Sequence, residues 1–403
     1  MKKEIISSLF VLSILSFGVG AADAPTAEEL KAMHTITHSH VHTHVYDNHD
    51  HEHPPGLVIT DVSTPSTTKA APAVSVQKVT PATKDEAKKI AATVASKSTD
   101  TSAVKSGEHD YKVTPKKVSD GVWCMFGALE MPTKENGGFM SNSCYIQTKD
   151  GWVLWDTGAT FKFAKQAYEA MNKIVPDLPV KTIIFSHEHD DHWLGANYYK
   201  ERFNSKFIGS HLINERYKPG REAETRMFKI LKPQDVDGTK IIRIDEPHNK
   251  KGAKFNFGGV AMEYIPLGQA HSEDDYMLYL PEKKLLLAAD VVMNGRITSN
   301  RNGLVIGQIK ALDKVKSLKW DVLVPGHGYI TDKSAADESI LYFKLLKERI
   351  LKAIDDGVDA ADITSVVTLP EFKEKAMYDI LNSGNVFRSY GELEMYDEDE
   401  EEE

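Results

Sequence analysis

Phe185-Ser186-His187-Glu188-His189-Asp190-Asp191-His192 is the stretch on which the reading of this chain turns. Val180 to Phe185 before it is an apolar run of strand length, which predicts a strand buried on both faces. A loop at the carboxyl end of such a strand lies where open sheets place their active sites. His187, His189, Asp191 and His192 crowd four donors into six residues, enough to surround a metal from one loop. In an extended stretch His187 and His189, two apart, point the same way. Asp191 and His192 then turn to a second position. Three imidazole or carboxylate ligands with one coordination place left open are the pattern of catalytic rather than structural zinc. The plain alternative is a charged surface loop.

Three further donors stand alone at predicted strand-to-loop junctions. His271 sits in Gly268-Gln269-Ala270-His271-Ser272, Asp290 follows Leu285-Leu286-Leu287-Ala288-Ala289, and His327 sits in Val324-Pro325-Gly326-His327-Gly328. Each alone is an ordinary loop residue; their order and settings together are specific. Around them the pattern predicts strands at Val122–Phe126, Ser143–Ile146, Trp152–Trp155, Ile241–Ile244, Lys254–Phe257, Val260–Ile265, Met277–Leu280, Leu285–Ala288 and Val322–Val324. Helical spacing covers 161–175, stopped by Pro176, as well as 304–318 and 334–356, the last opening at Ser334. Strands with helices between and outside them predict sheets covered by helices, an α/β (α+β) domain.

With these residues in view, the chain resembles the metallo-beta-lactamase fold superfamily. The matching pattern is His187-x-His189-x-Asp191-His192, then His271, Asp290 and His327, preceded by Asp156-Thr157-Gly158 after a strand. The resemblance covers residues 118 to 330 and implies a four-layer αββα sandwich with metals at one edge between the sheets. It implies that His187, His189 and His271 hold a first metal, that Asp191, His192 and His327 hold a second, and that Asp290 bridges them. Asp156 would hold the ligand loop by hydrogen bonds; its alternative is a turn residue with only local bonds. An Asp at position 290 looks more like the glyoxalase II, ribonuclease Z, lactonase, phosphodiesterase and quinoprotein-relay branches than the antibiotic-hydrolysing ones.

The resemblance therefore implies a zinc-dependent metallohydrolase acting on a small-molecule ester, thioester, lactone or phosphoester. Two ions about 3.5–4 Å apart would share a bridging hydroxide, with Asp191 orienting it. The alternatives are a beta-lactamase, a mononuclear-iron sulfur dioxygenase of the same fold, and a non-enzymatic periplasmic metal carrier. Tyr329 is placed to reach a substrate oxygen or simply to pack. His211 and His248 have no partner pattern and read as ordinary loop residues. Specificity is expected from the loops at 211–250 and 292–303, where Arg296 and Arg301 are either cations for an anionic group to meet or exposed arginines with no specific task.

The rest of the chain is organised around this domain. Lys2 and Lys3, an apolar run to Gly20 and small residues to Ala24 predict a signal peptide over 1–24, hence a periplasmic or secreted protein with no stable membrane anchor after cleavage. His34, His38, His40, His42, His44, His49, His51 and His53 form a tract suited to Zn, Cu or Ni, or else a solvated low-complexity segment. It lies in a stretch, 25–117, too poor in aromatic and apolar residues to fold, which predicts a disordered tether. The hydrolase domain is expected over 118–390 and an acidic tail over 391–403. Of 403 residues, 49 are Lys or Arg and 59 are Asp or Glu, a net charge of −10 that disfavours nucleic acid as a partner. Cys124 and Cys144, on two predicted strands, either pair in an oxidising compartment or stay separate thiols. Oligomeric state is not legible.

Overall fold

Period-two alternation sorts the side chains of the central strands between two cores. In β3 (Ser143–Gln147) and β4 (Trp152–Trp155), Tyr145, Trp152 and Leu154 face one cluster while Cys144, Ile146, Val153 and Trp155 face another. The same split runs through β10 (Asp275–Leu280) and β11 (Leu285–Met293): Met277, Tyr279, Leu286 and Ala288 against Tyr276, Leu278, Leu285 and Leu287. A strand buried on both faces needs a layer on each side. The computed structural model, which describes residues 109–329 and 332–397, supplies those layers.

Seven strands form one sheet in sequence order: β1 (Lys116–Ser119), β2 (Val122–Met125), β3, β4, β5 (Val180–Ile184), β6 (Lys206–Ser210) and β7 (Glu246–His248). The second sheet runs β12-β11-β10-β9-β8, with β8 at Ala253–Phe257, β9 at Val260–Gly268 and β12 at Val322–His327. Helices α1 (Phe161–Ile174), α2 (Asp190–Trp193), α3 (Asn197–Phe203), α4 (His211–Arg216), α5 (Arg226–Ile230) and α6 (Pro233–Val236) belong to the first half. Helices α7 (Val305–Ser317), α8 (Lys333–Asp355), α9 (Ile363–Val366) and α10 (Tyr378–Leu393) belong to the second. Phe163, Tyr168 and Met171 of α1 pack on the outer face of the first sheet; Leu312 of α7, Phe343 and Leu346 of α8 and Tyr390 of α10 pack on that of the second. The order is helix, sheet, sheet, helix. Each fully buried Leu, Phe or Met contributes about 1.5–3 kcal/mol.

Local signals end the elements where the sequence suggests. Thr160 caps α1 by accepting the Phe163 amide, and the helix stops before Pro176. Helix α8 opens one turn position earlier than expected, because the Asp332 carboxylate, not Ser334, is the cap. Ile241–Ile244 is not a strand. The Ile241 amide donates to Glu222 Oε1 and the Ile244 amide to Asn214 Oδ1, so side chains satisfy that backbone and the edge strand forms afterwards, at β7. The ordered chain also begins before residue 118: Tyr111 is buried, with its hydroxyl 2.8 Å from Thr160 Oγ1. It continues past 391, since α10 runs to Leu393 and Tyr396 packs on its cluster.

Cys124 and Cys144 sit directly opposite each other on β2 and β3 and are joined as a disulfide. The predicted signal peptide, the predicted tether up to residue 108 with its His tract 34–53, and residues 398–403 of the acidic tail lie outside the described residues. Among the described residues, no helix is long and apolar enough to cross a membrane.

Candidate metal centre

Both sheets deliver donors to one point. After β5 the chain passes through bends at Ser186 and Glu188 to His189, which sits at the N-terminal boundary of α2; that helix then carries Asp191 and His192. His271 lies in the loop between β9 and β10, and His327 is the last residue of β12. Asp290 is inside β11 rather than at its end, as the sequence suggested. The pairing of β11 with β12 slips on both sides of Ala289, whose φ of 49° is left-handed, so Asp290 leaves the regular ladder. All seven side chains are at most 8% exposed. Their donor atoms fall into two groups: His187, His189, His271 and Asp290 in one, Asp191, His192 and His327 in the other.

Four of the five imidazoles are oriented by the nitrogen that faces away, whereas His271 Nδ1 is buried without a hydrogen-bond partner. Asp156, in a left-handed conformation (φ 58°) just after β4, accepts from the Ser186 amide at 2.9 Å and the Ser186 hydroxyl at 2.8 Å. It also accepts His192 Nδ1–H at 2.8 Å. With its proton committed to Asp156, Ser186 Oγ accepts His187 Nδ1–H at 2.9 Å. Asn302 Oδ1 accepts His189 Nε2–H at 3.2 Å, and the Met140 carbonyl accepts His327 Nδ1–H at 2.7 Å. The nitrogens facing the centre are thereby left as lone pairs.

These lone pairs converge. His189 Nδ1 lies 3.0 Å from both His187 Nε2 and His271 Nε2. Asp290 Oδ2 is 3.2 Å from His271 Nε2 and from His327 Nε2, and Asp290 Oδ1 is 3.1 Å from His192 Nε2. His192 Nε2 and Asp290 Oδ1 are buried without a hydrogen-bond partner. Facing lone pairs and orphaned buried acceptors repel unless a cation lies among them, so this donor set fits metal ions. Burial pushes His187 and His189 well below the usual imidazole range, which keeps them neutral and ready to ligate. Burial acts the same way on His192, but the Asp290, Asp191 and Asp156 carboxylates outweigh it and raise that site, a field that favours any cation at Nε2.

Several supporting residues carried no local signal in the sequence. Arg226 on α5 donates to Asp190 Oδ1 at 2.9 Å and to Asp191 Oδ1 at 2.6 Å, which leaves Asp191 Oδ2 facing the centre, 3.4 Å from His327 Nε2. Met140, Ser141 and Asn142 act as a cradle. The Met140 carbonyl holds His327, the Ser141 hydroxyl donates to the Asp191 carbonyl at 2.5 Å, and Asn142 Nδ2 donates to the carbonyls of Pro325 and Gly328, each at 2.8 Å. The two glycines beside His327 were visible in the sequence, and close approach explains them. A Cβ on Gly326 would lie 1.9 Å from Asp290 Oδ1, and one on Gly328 would lie 1.9 Å from the Asn294 carbonyl oxygen.

A narrow cavity opens onto the centre. Its walls include Met131, Met140 and Met293 together with Arg226, Arg296 and Arg301, whereas Tyr329 is not among them. Arg296 is buried at 5% exposure, contrary to the exposed position read from sequence, because its backbone bridges to Ala376 and its guanidinium reaches back to the Glu130 carbonyl. His211 and His248 lie apart from the centre: His211 Nδ1 is 3.4 Å from Asp274 Oδ2, and His248 stacks edge-on against Tyr264.

Residues 136–327 match the profile of the metallo-beta-lactamase superfamily. The alpha subunit of a 2,4-dinitroanisole O-demethylase from Nocardioides sp. (strain JS1661) is 26% identical over 227 residues, 55% of this chain and 62% of that one. A metallo-beta-lactamase of Chryseobacterium indologenes is 24% identical over 225 residues, 49% of this chain and 81% of that one. A linear primary-alkylsulfatase of Pseudomonas sp. (strain ATCC 19151) is 20% identical over 264 residues, 56% of this chain and 49% of that one. The chain thus spans less than two thirds of two of these three relatives. Among solved structures, the sec-alkylsulfatase Pisa1 from Pseudomonas sp. aligns with a TM-score of 0.54 at 18% identity, over 72% of this chain and 51% of that one, a likeness of fold. The two sheets between helical layers and the donor constellation at their shared edge are built around the segment, residues 136–327, that matches the metallo-beta-lactamase superfamily.

Proposed function

We propose that this protein is a zinc-dependent hydrolase of a small ester, thioester, lactone or phosphoester, with two ions at the centre. The observation that carries the reading is the convergence of seven buried donors in two groups large enough for one ion each, five of them (His189, Asp191, His271, Asp290 and His327) lining a cavity. His187, His189 and His271 would hold one ion and Asp191, His192 and His327 the other, with Asp290 between them. Bound zinc supplies a Lewis acid for the substrate oxygen and lowers the pKa of water toward neutrality. Asp191 Oδ2, turned to the centre because Arg226 holds Oδ1, orients the attacking water by accepting its hydrogen bond. The water oxygen bonds to the acyl or phosphoryl centre, the bond to the leaving group breaks, and that group departs with the proton the water gives up. The apolar methionine walls limit stray water around the reacting atoms.

The test is turnover by zinc-loaded protein of a panel of esters, thioesters, lactones, phosphodiesters and beta-lactams. Asp191→Ala is expected to lower kcat by ~10³-fold or more. Near-normal turnover with both ions retained would end the role given to Asp191. Metal analysis of protein purified without added metal separates the hydrolase, with two zincs, from a mononuclear-iron oxygenase. Export, leader cleavage and metal collection by the His34–His53 tract are proposals resting on sequence. Deleting 34–53 should leave turnover intact when zinc is supplied; loss of most metal capacity together with absent turnover would instead favour a carrier.

A further inference from the structure

The cavity contains more positive charge than its own acids neutralise. Of its three arginines, Arg226 is satisfied by Asp190 and Asp191. Arg296 is not. It is 95% buried, its hydrogen bonds are two long ones to the carbonyls of Ile297 at 3.3 Å and Glu130 at 3.4 Å, and among the described residues it makes no ion pair. The side chain of Arg301, exposed at the rim, donates to Asn302 Oδ1 at 3.0 Å and likewise has no ion pair among the described residues. A buried guanidinium without a carboxylate is costly, and its five N–H donors are a fork built for oxyanions. The nearby acids, Asp191 and Asp290, are donors to the centre itself, so their charge is committed there. We propose that Arg296 and Arg301 form an anion-recognition site beside the centre, so that the preferred substrate carries a carboxylate, phosphate or sulfate group alongside the bond to be cleaved. This inference rests on the hydrolytic reading for the word substrate, while the anion site itself stands on geometry alone. The cavity is narrow, which suits a compact charged head group on an apolar stem lying along the methionine wall.

The experiment measures binding to zinc-loaded, full-length protein by calorimetry, with acetate, methylphosphonate and methanesulfonate as probes and dimethyl sulfone as the uncharged isostere of the last. At least one anion should bind tenfold or more tightly than dimethyl sulfone, and the ranking among the three identifies which oxyanion the site takes. Arg296→Gln and Arg301→Gln should each weaken that anion fivefold or more without changing dimethyl sulfone binding or zinc stoichiometry, and Arg296→Lys should recover part of the loss. If Arg296→Gln fails to fold, Arg301→Gln and Arg296→Lys decide the matter. The inference is overturned if no anion is preferred to the sulfone, or if the preference survives both glutamine substitutions, since the ions alone would then account for it. Protein that binds anions through these arginines yet hydrolyses nothing on the panel would remove the hydrolytic reading and leave the anion site standing.

Discussion

Gly326 shows how much of the site depends on a missing side chain. It lets β12 lie against the backbone of Asp290, and an added Cβ would meet both the carboxylate and the Ala289 carbonyl carbon, the latter at 2.5 Å. Gly326→Ala is therefore expected to move Asp290, reduce bound zinc below two per chain and cut activity by ~10²-fold, as ångström-scale misplacement does elsewhere; zinc analysis with circular dichroism checks that the fold survives. At this scale the sequence was legible wherever donors were close together or carried a recognisable setting. His187 to His192 announce themselves by spacing. Asn142 does not, because its partners Pro325 and Gly328 lie 183 and 186 residues away and any polar side chain looks alike in one dimension. Arg226 and Asn302 were hidden for the same reason.

At the scale of elements, periodicity located the long helices and the core strands but misjudged segments whose backbone is satisfied by side chains. Ile241–Ile244 reads as a strand because its isoleucines are buried, yet burial alone does not make a ladder. Strand β6 was overlooked because its apolar run is only Phe207 and Ile208, and the left-handed helix end at Asn204 before it was not revealed by the spacing. Helix α7 has no cap of its own. The Glu392 carboxylate on α10 provides one across the fold, accepting the Val305 amide at 2.6 Å and the Ile306 amide at 3.0 Å. Glu392→Ala should lower the stability of the protein by about 1–2 kcal/mol, measured by denaturant unfolding, with zinc affinity unchanged. A loss of zinc in that variant would mean that α10 supports the centre as well as α7.

At the scale of the whole molecule, the layered sandwich was legible through the resemblance rather than through composition, since alternation along a strand cannot say which sheet it joins. The disulfide was open for the same reason: opposition of Cys124 and Cys144 is a matter of register. It closes a short loop between neighbouring strands, 20 positions apart in sequence, so Cys144→Ser should cost roughly 2–4 kcal/mol, less any relief of strain. The remaining whole-molecule feature is that the first sheet contributes His187, His189, Asp191 and His192, while the second contributes His271, Asp290 and His327. Any ion held there is a rivet through two leaves. Stripping zinc with a chelator should therefore lower the melting temperature of both leaves together, and hydrogen exchange should quicken in β5 and β12 alike. Exchange that quickens on one side alone would show that each leaf keeps its own counsel, with the ions merely resting on one of them.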